Sequence, residues 1–568
     1  MEELRADLLV IGSGGAGLLA ALHAGQRDPK LEIVLASKGL VGKSGCTRMV
    51  QGGYNAVLDP ADSLELHFAD TLRGGQFINN QELAWTLVSE APRMIVELET
   101  KVGCFFDRRE DGRIHQKAFA GQSFDRTIHR GDLTGIEIIN RLRDQLFGRD
   151  VRVLEETRAL ELVPDRSGQA IAGALLLDVR RGEFILVEAR AIVLATGGGT
   201  RMYKIAAPSL EKTGDGMAMA ARAGAEFLDM EMFQFHPTGL LAGASRMSGM
   251  VLEEGLRGAG GILRNALGER FMERYDPRHM ERATRDVVAR SGYLEVMAGR
   301  GTRQGGVLLD VSHLGADFVW KHFRGMVERC LDFGVDIRRE PVEVSPTAHF
   351  HMGGVRIDAD CRSSMPGLFV AGEDAGGVHG ANRLGGNGVA ESTVFGGRAG
   401  YAVAETLEHV DERQPDRRFA ERVVREAEAI LARESGENVF RLRERLENLM
   451  WEKVGVVRCG PDLEAALIEL AELKQRADRV AAPGGRRLNW AWTEALDLQN
   501  MLLVAEMTAR SALRRTESRG SHYRGDFPEK DDSTWLRNVC LVRRGEQLLL
   551  WEEPVVFSRL DPRAVAVA

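Results

Sequence analysis

The sequence predicts an α/β fold built around a Rossmann-like dinucleotide-binding domain. Two glycine-rich clusters lie far apart in the chain, IGSGGAG at residues 11–17 and GLFVAGEDAGGVHGANRLGGNGVAE at residues 367–391. Segments so poor in side chains let backbone N–H groups approach a large anionic ligand closely. Two such clusters indicate one long cofactor that is held at two places.

The first cluster lies within a βαβ pattern, in which residues 6–11 read as a buried strand, residues 14–24 as a helix and residues 33–37 as a second strand. Such a helix N-terminus can bind a pyrophosphate, and the GxGxxG register falls on Gly12, Gly14 and Gly17. Glycines also make tight turns for structural reasons alone. The strand in front of them favours the binding interpretation.

The segments that follow narrow the choice of cofactor. The second strand ends in Ser37 and Lys38, where a simple NAD site has an acidic residue. Residues 191–200, AIVLATGGGT, are a further apolar strand that ends in a glycine turn, as expected where the chain passes a dinucleotide again. The segment GLFVAGED supplies a third strand, and it places Glu373 to accept a hydrogen bond from a ribose hydroxyl.

The C-terminal third differs in composition and in hydrophobic periodicity. Residues 415–482 are charged and helical in period, with Pro461 suited to a first helical turn, and residues 491–513 form a longer amphipathic helix. A charged, solvated surface without chemistry is the simplest interpretation of most of these residues. Alternating residues around Arg544 and Gly545 predict a β-hairpin.

Composition limits the possible functions. A chain of 568 residues with 44% hydrophobic content predicts two to four domains with buried cores. A net charge of −8 and a pI near 6.0 exclude nucleic acid as an expected partner. The N-terminus lacks signal-peptide features, and no apolar run is long enough to span a bilayer. We expect the cytoplasm, or the cytoplasmic face of the membrane within a complex.

The cysteines are scattered and form no CxxC pair. This spacing argues against an iron–sulfur cluster or a structural zinc site built from this chain alone, and predicts buried thiols instead. A partner must then carry single electrons beyond the cofactor. The six residues are Cys46, Cys104, Cys330, Cys361, Cys459 and Cys540.

Several charged or imidazole side chains lie in otherwise apolar or glycine-rich segments. We expect them to converge in one water-poor pocket that accepts a small polyanion. No metal ligand set and no serine or cysteine nucleophile motif accompanies them. The residues are His236, Glu254, Arg257, Arg285, His349 and Arg383.

Together these segments resemble the flavoprotein subunits of the succinate dehydrogenase and fumarate reductase family, which includes L-aspartate oxidase. The resemblance covers nearly the whole chain, in family order, through IGSGGAG, VQGG, DLTG, FQFHPTG, RDVVARS, PTAHFHMGG, HGANRLGGNG and ESRGSHYRGDFPEKDD. So many motifs in order are far more specific than a lone GxGxxG. The resemblance implies FAD as the cofactor and the interconversion of fumarate and succinate as the reaction.

The resemblance also implies the domain organisation. An FAD-binding domain (1–235 and 351–408) is interrupted by an α+β capping domain (236–350), and a helical domain (409–525) and a small C-terminal domain (526–568) follow.

The cofactor contacts that we expect fall mainly in the glycine clusters and the strand ends. They are Gly12, Gly14, Gly15, Ala16, Gly17, Ser37, Lys38, Ser44, Cys46, Thr47, Gln51, Gly52, Gly53, Ala195, Thr196, Gly197, Asp215, Glu373, Arg383, Asn387, Gly388 and Val389.

For catalysis, the resemblance implies that His236, His349 and Arg383 hold the substrate carboxylates. Arg285 resembles the proton donor of the family, and Glu254 and Arg257 resemble the relay that returns its proton. An arginine is ordinarily a very weak acid, but other cations in a dry pocket make its proton easier to lose. An ordinary ion pair between Arg285 and Asp286 is the alternative interpretation.

One departure from the family concerns the cofactor. Many members have a histidine upstream of VQGG that binds the FAD 8α-methyl carbon covalently, and Cys46 occupies this position here. Because the covalent link raises the flavin potential in the family, its loss disfavours succinate oxidation. The sequence therefore predicts non-covalent FAD and a bias towards fumarate reduction, with a cysteinyl thioether as a chemically possible alternative.

Further departures concern the substrate. Glu253 replaces a threonine that contacts a substrate carboxylate in the family, so it must be protonated, paired with Arg257 or turned away. In L-aspartate oxidase a glutamate shortly before the DxTG motif contacts the substrate amine, whereas Phe119 lies at the matching place here. Glu253 could supply that contact, which keeps L-aspartate oxidase, or a reductase of a substituted fumarate, as an alternative. Ala259 replaces a second glutamate, without a functional explanation.

The expected partners follow from the resemblance. The segment ESRGSHYRGDFPEKDD resembles the family's region near the iron–sulfur subunit, which implies that an iron–sulfur protein is the electron partner. A membrane-anchor, quinone-reactive or thiol-reactive subunit could join through the complex, and a self-sufficient reductase is the competing hypothesis. A non-catalytic FAD-binding sensor or assembly protein should have lost the arginines and histidines, and all five are present.

Overall fold

A computed structural model describes residues 1–207, 209–243, 245 and 247–562, so residues 563–568 of the predicted C-terminal domain lie outside the described part. Its strands are β1 (Glu2–Ile11), β2 (Ile33–Ala36), β3 (Tyr54–Asn55), β4 (Gln116–Lys117), β5 (Thr127–Ile128), β6 (Val151–Leu154), β7 (Thr157–Pro164), β8 (Ile171–Asp178), β9 (Glu183–Leu194), β10 (Glu226–Leu228), β11 (Phe233–Leu240), β12 (Ile262–Arg264), β13 (Val307–Asp310), β14 (Val342–His351), β15 (Gly354–Val355), β16 (Leu368–Val370), β17 (Arg537–Arg544) and β18 (Gln547–Pro554).

Its α-helices are α1 (Gly15–Arg27), α2 (Leu64–Gly74), α3 (Gln81–Glu97), α4 (Thr134–Phe147), α5 (Asp215–Arg222), α6 (Glu254–Gly258), α7 (Met272–Tyr275), α8 (Arg285–Glu295), α9 (Ala316–Leu331), α10 (Asn387–Leu407), α11 (Arg417–Ala432), α12 (Val439–Lys453), α13 (Gly460–Ala477), α14 (Trp490–Arg514) and α15 (Asp532–Trp535). The predicted βαβ start is confirmed, with a first strand that begins earlier and a helix that continues to Arg27.

The largest sheet is the dinucleotide-binding sheet. Its strand order is β6-β2-β1-β9-β8-β7, and the short β16 pairs with the end of β9. Strands β6, β2, β1, β9 and β16 run parallel, so their carboxyl ends meet at one edge. The glycine turns after β1, β9 and β16 therefore lie together, as the sequence predicts for a chain that passes a dinucleotide three times.

Helices α1 and α10 pack side by side above this sheet. A Cβ at Gly396 of α10 would lie 2.5 Å from the carbonyl oxygen of Ala16, and one at Gly400 would lie 2.4 Å from that of Ala20. The two backbones are therefore in direct contact. Since α1 begins in the first glycine cluster and α10 in the second, this contact brings both clusters to one place.

A second sheet, β11-β14-β13-β12, spans the predicted capping segment and extends slightly beyond it at both ends. It has its own hydrophobic cluster, which includes Leu240, Leu263, Phe271 and Val344. The pairing of β11 with β14 shifts register between His236 and Gly239. Such an irregularity re-aims neighbouring side chains, which matters here because β11 and β14 carry the two predicted substrate histidines.

The C-terminal third contains the predicted helices and hairpin. Pro461 lies in the first turn of α13, as expected. The central helix α14 buries Trp492, whose Nε1 donates to the carbonyl of Ala427. The hairpin β17-β18 is confirmed. It belongs to the sheet β15-β10-β17-β18, whose other two strands come from the chain just before and just after the capping sheet.

Three features bear on membranes, metals and thiols. Within the described residues, none of the helices combines the length and apolarity needed to cross a bilayer. The same part of the chain has no group of three or more histidine, cysteine or acidic residues that could hold a metal ion. All six cysteines are free, and the expectation of buried thiols holds for four of them but is wrong for Cys46 and Cys459, which are half-buried.

Candidate functional site

One long cavity lies where α1 and α10 begin. Neither helix has a side-chain cap at its N-terminus, and neither has an acidic residue in its first turn. Both therefore direct the positive end of a helix dipole at the cavity. This arrangement suits a ligand with anionic groups, such as a dinucleotide.

Most of the expected cofactor contacts line this cavity. They are Gly12, Gly14, Gly15, Ala16, Ser37, Lys38, Ser44, Cys46, Thr47, Gln51, Gly52, Gly53, Ala195, Thr196, Gly197, Asp215, Glu373, Arg383, Gly388 and Val389.

Two expected cofactor contacts lie outside this lining. A Cβ at Gly17 would lie 1.9 Å from the carbonyl oxygen of Gly12, so this glycine is required for the packing of the turn on the helix. The Asn387 side chain accepts a hydrogen bond from Asn55 at 2.7 Å and donates one to Thr71 at 3.2 Å. Its amide therefore anchors the start of α10 and is not directed at the ligand.

At one end of the cavity, the polar groups are already paired. Lys38 Nζ lies 2.9 Å from Asp215 and 2.6 Å from Asp497. Arg158 lies 2.9 Å from the same Asp497 oxygen. Burial disfavours the ammonium, but the two carboxylates outweigh burial and raise the pKa of Lys38. Asp497 comes from α14, a contribution to this end of the cavity that the sequence analysis did not anticipate.

Glu373 lines the cavity, but part of its hydrogen-bonding capacity is used within the protein. Its Oε1 accepts the backbone N–H of His351 at 2.8 Å and pairs with Lys212 at 2.6 Å. Sequence reasoning missed Lys212, although a single lysine in the glycine-flanked segment EKTGDG offered a signal. The predicted ribose contact of Glu373 stays a prediction, since one oxygen has these two protein partners.

At the other end, the predicted substrate groups come together. His236 on β11 and His349 on β14 have ring centroids 5.4 Å apart. Arg285, the first residue of α8, and Arg383, just before α10, both line the same region. Gln234, which the sequence did not single out, connects the two arginines. Its Oε1 accepts from Arg285 Nη1 and from Arg383 Nη2 at 3.2 Å each.

Electrostatics make the two histidines neutral donors. Burial, followed by the nearby arginines, lowers the pKa of both His236 and His349 well below the ordinary value. The backbone N–H of Thr238 points at His236 Nδ1 at 3.3 Å, which leaves the proton on Nε2. Within the described residues, His349 Nδ1 and Arg383 Nε have no protein partner. A carboxylate ligand could satisfy such groups.

Behind these groups lies a chain of charges. Arg285 Nε donates to Glu254 Oε2 at 2.8 Å, and Arg257 Nη2 lies 3.9 Å from Glu254 Oε1. Burial raises the pKa of Glu254, but Arg285 and Arg257 outweigh burial and hold it below the ordinary value. The alternative pair between Arg285 and Asp286 is wrong, because Asp286 accepts from Asn382 instead.

Glu253 lines the cavity, and Lys117 Nζ lies 2.8 Å from its Oε1. This pair answers the question that the sequence raised: Glu253 is neither turned away nor paired with Arg257. Phe119 packs on Gly52, where a Cβ would lie 2.3 Å from its ring, and lines the cavity beside Lys117. Nothing in the structure explains Ala259.

The chain matches known proteins in both sequence and structure. A family described as "FAD binding domain" matches residues 7–389, and one described as "Fumarate reductase flavoprotein C-term" matches residues 443–566. The chain is 44% identical to one of the subunits of the "Fumarate reductase (CoM/CoB)" of Methanothermobacter marburgensis, over 96% of this chain and 98% of that protein.

Two further comparisons agree. The chain is 36% identical to the "8-methylmenaquinol:fumarate reductase flavoprotein subunit" of Wolinella succinogenes, over 97% of this chain and 91% of that protein. The FrdA chain of E. coli quinol fumarate reductase superposes with a TM-score of 0.93 at 33% identity, covering 99% of this chain and 98% of that chain. The site described above therefore lies in an FAD-binding fold.

The residues of this cavity fit FAD. The uncapped starts of α1 and α10 suit its anionic groups, and the close approach of glycine backbones leaves room for a long, flat ligand. Thr47 accepts the N–H of Gly15 at 2.9 Å, which holds the first glycine turn in place.

A charge placed at the start of α10 should test the anion site. Val389 is the third residue of α10 and lines the cavity, so Val389→Asp puts a carboxylate where the helix dipole favours an anionic ligand. We expect FAD to bind about tenfold more weakly to Val389→Asp than to the matched Val389→Asn variant, equivalent to about 1.4 kcal/mol. Fluorescence titration of the FAD-free proteins measures both Kd values, and equal affinities would contradict the assignment.

Proposed function

The chain belongs to the succinate dehydrogenase and fumarate reductase flavoprotein family, and we propose that it is an FAD-dependent oxidoreductase that reduces fumarate to succinate. The observation that carries the proposal is the convergence of Arg383, Arg285, His236 and His349 on one end of the FAD-binding cavity. Two positive and two neutral donors there suit a small dicarboxylate. Bound FAD supplies the hydride donor and acceptor for this reaction.

The protein groups then have separate tasks. His236, His349 and Arg383 hold the carboxylates and orient the alkene, which the shared acceptor Gln234 assists by fixing Arg383 relative to Arg285. Arg285 donates a proton to the substrate carbon, and Glu254, in direct contact with it at 2.8 Å, returns one. Arg257 lies one step further from the substrate, so the relay leads away from the cavity.

Lysine cannot replace Arg285 in this arrangement. Its ammonium is a single point donor, whereas the guanidinium contacts Glu254 and Gln234 at the same time. In anaerobic assays with reduced viologen, we expect Arg285→Lys to lower kcat for fumarate by about 10²- to 10⁴-fold while FAD content stays unchanged.

The matched control for this prediction is Arg290→Lys. Arg290 lies on the same helix but packs over the ring of Tyr523, 4.8 Å away. The Arg290→Lys variant should keep most of the fumarate reductase activity. Unimpaired fumarate reduction by Arg285→Lys would remove Arg285 as the proton donor, and loss of activity in both variants would indicate disruption of the helix.

FAD is held without a covalent bond in this proposal. Cys46 lines the cavity, but burial raises the pKa of its thiol, so it is protonated and a poor nucleophile at neutral pH. Acid precipitation should release the yellow colour completely into the supernatant. Colour that stays on the precipitated protein, and disappears in Cys46→Ser, would show a thioether and overturn this part of the proposal. Non-covalent binding is the basis for the expected bias towards fumarate reduction.

Glu253 and Lys117 separate this proposal from its alternative. In an L-aspartate oxidase, Glu253 would bind the substrate amine, but Lys117 already neutralises it at 2.8 Å. Removal of Lys117 leaves a carboxylate beside the substrate carboxylates. We expect Lys117→Met to raise KM for fumarate about tenfold with little change in kcat, equivalent to about 1.4 kcal/mol of lost binding.

The second variant makes this test specific. Adding Glu253→Gln to Lys117→Met removes the repulsion and should restore KM. Failure of the double variant to recover would mean that Lys117 itself contacts substrate. Aspartate-dependent peroxide formation by the unmodified protein would instead favour the L-aspartate oxidase alternative.

The electrons come from partner subunits, and we expect an iron–sulfur protein among them. The relatives are named as subunits, which supports partners in general. The segment 517–532 contacts the loop that carries Arg383, since Ser521 Oγ donates to the carbonyl of Ala381 at 2.9 Å. A partner docked on that segment would lie close to the substrate end of the cavity. A quinone-reactive, thiol-reactive or membrane-anchor subunit would be a further member of the complex.

A further inference from the structure

Lys212 is a buried cation in the FAD-binding cavity that neither the cofactor motifs nor the substrate site accounts for. Its side chain is 3% exposed, and it lies on the segment that leads into α5. We propose that Lys212, paired with Glu373, tunes the reduction potential of the bound FAD. Its fixed positive charge favours the reduced, more negative cofactor.

The contacts of Lys212 fix its ammonium in place. Nζ lies 2.6 Å from Glu373 Oε1, donates to the carbonyl of His349 at 3.0 Å and lies 5.6 Å from the centre of the Phe350 ring. An ammonium has three N–H donors. Within the described part of the chain, these two acceptors are the ones it meets, so one N–H remains for a ligand in the cavity.

The position of Lys212 identifies the part of FAD that it serves. It contacts the backbone of His349, whose side chain belongs to the substrate cluster. Hydride exchange requires the reacting ring of FAD to touch the substrate. The ring must therefore lie next to the substrate cluster, and Lys212 borders that part of the cavity. The inference rests on the proposed function in this step alone.

The two charges of the pair have opposite effects on the reduction potential of the cofactor. Reduction adds negative charge next to these buried groups, where a fixed cation stabilises the reduced cofactor and a fixed carboxylate destabilises it. Burial raises the pKa of Glu373, and Lys212 opposes this shift. Removing the cation should therefore lower the reduction potential, and removing the carboxylate should raise it.

The test is a redox titration of the FAD-loaded full chain without substrate. We expect Lys212→Met to weaken reduced FAD about tenfold relative to oxidised FAD, which lowers the midpoint potential by about 30 mV for two electrons. Glu373→Gln should raise the midpoint, and Lys212→Arg, which keeps the charge, should stay close to the unmodified protein. The Kd of oxidised FAD is measured in parallel by fluorescence.

Each outcome decides the matter. Unchanged midpoints, or shifts of Lys212→Met and Glu373→Gln in the same direction, would overturn the proposal and leave the pair a purely structural contact. If Lys212→Met fails to retain FAD, Glu373→Gln decides alone, since a midpoint that falls or stays constant contradicts the proposal. Because no substrate is present, expected shifts without fumarate turnover would overturn the proposed function and leave this inference intact.

Discussion

The contact between α1 and α10 determines the rest of this structure. Glycines at 396 and 400 let the two backbones touch, and any side chain there would overlap Ala16 or Ala20. As a result, two helix N-termini from opposite ends of the chain face the same cavity. Arg383 lies four residues before the start of α10, so the groups expected to bind cofactor and substrate are held at a fixed separation.

The two ends of the cavity treat buried charge differently. At the Lys38 end, cations and carboxylates neutralise each other, and Asp497 of α14 closes the group. At the substrate end, the described residues leave His349 Nδ1 and Arg383 Nε without protein partners. Paired charges add rigidity at the first end. At the second end, buried polar atoms without a protein partner are costly, and an anionic ligand can satisfy them. The substrate end therefore favours an anionic ligand because its own polar groups are left unpaired.

Local patterns allowed much of the fold to be predicted. The βαβ start, the glycine turns and the C-terminal hairpin follow from hydrophobic periodicity and turn residues within short windows. Most expected cofactor contacts also line the cavity, because they follow strand ends that meet at one sheet edge. Gly17 and Asn387 lie outside the cavity lining, since the motif alone does not distinguish a ligand contact from a packing contact.

Long-range partners could not be predicted in this way. Gln234, Lys117, Lys212 and Asp497 gain their importance from residues that are far away in sequence, such as Lys117 from Glu253. A single polar residue in an apolar segment has the same local signature whether it is a surface group or the centre of a network. Only the folded geometry reveals that Gln234 joins two arginines.

The same geometry explains why an arginine and not a histidine suits the role of proton donor. Histidine is the usual acid in enzymes because its pKa lies near neutral pH. Here burial, together with Arg285 and Arg383, lowers the pKa of His236 and His349 so far that neither imidazole holds a second proton. The cations that bind a dicarboxylate thus exclude histidine as the acid. Of the two arginines, it is Arg285 that has a carboxylate, Glu254, in direct contact. The requirement to bind a dianion and the choice of an arginine as acid are therefore two consequences of one cluster of charge.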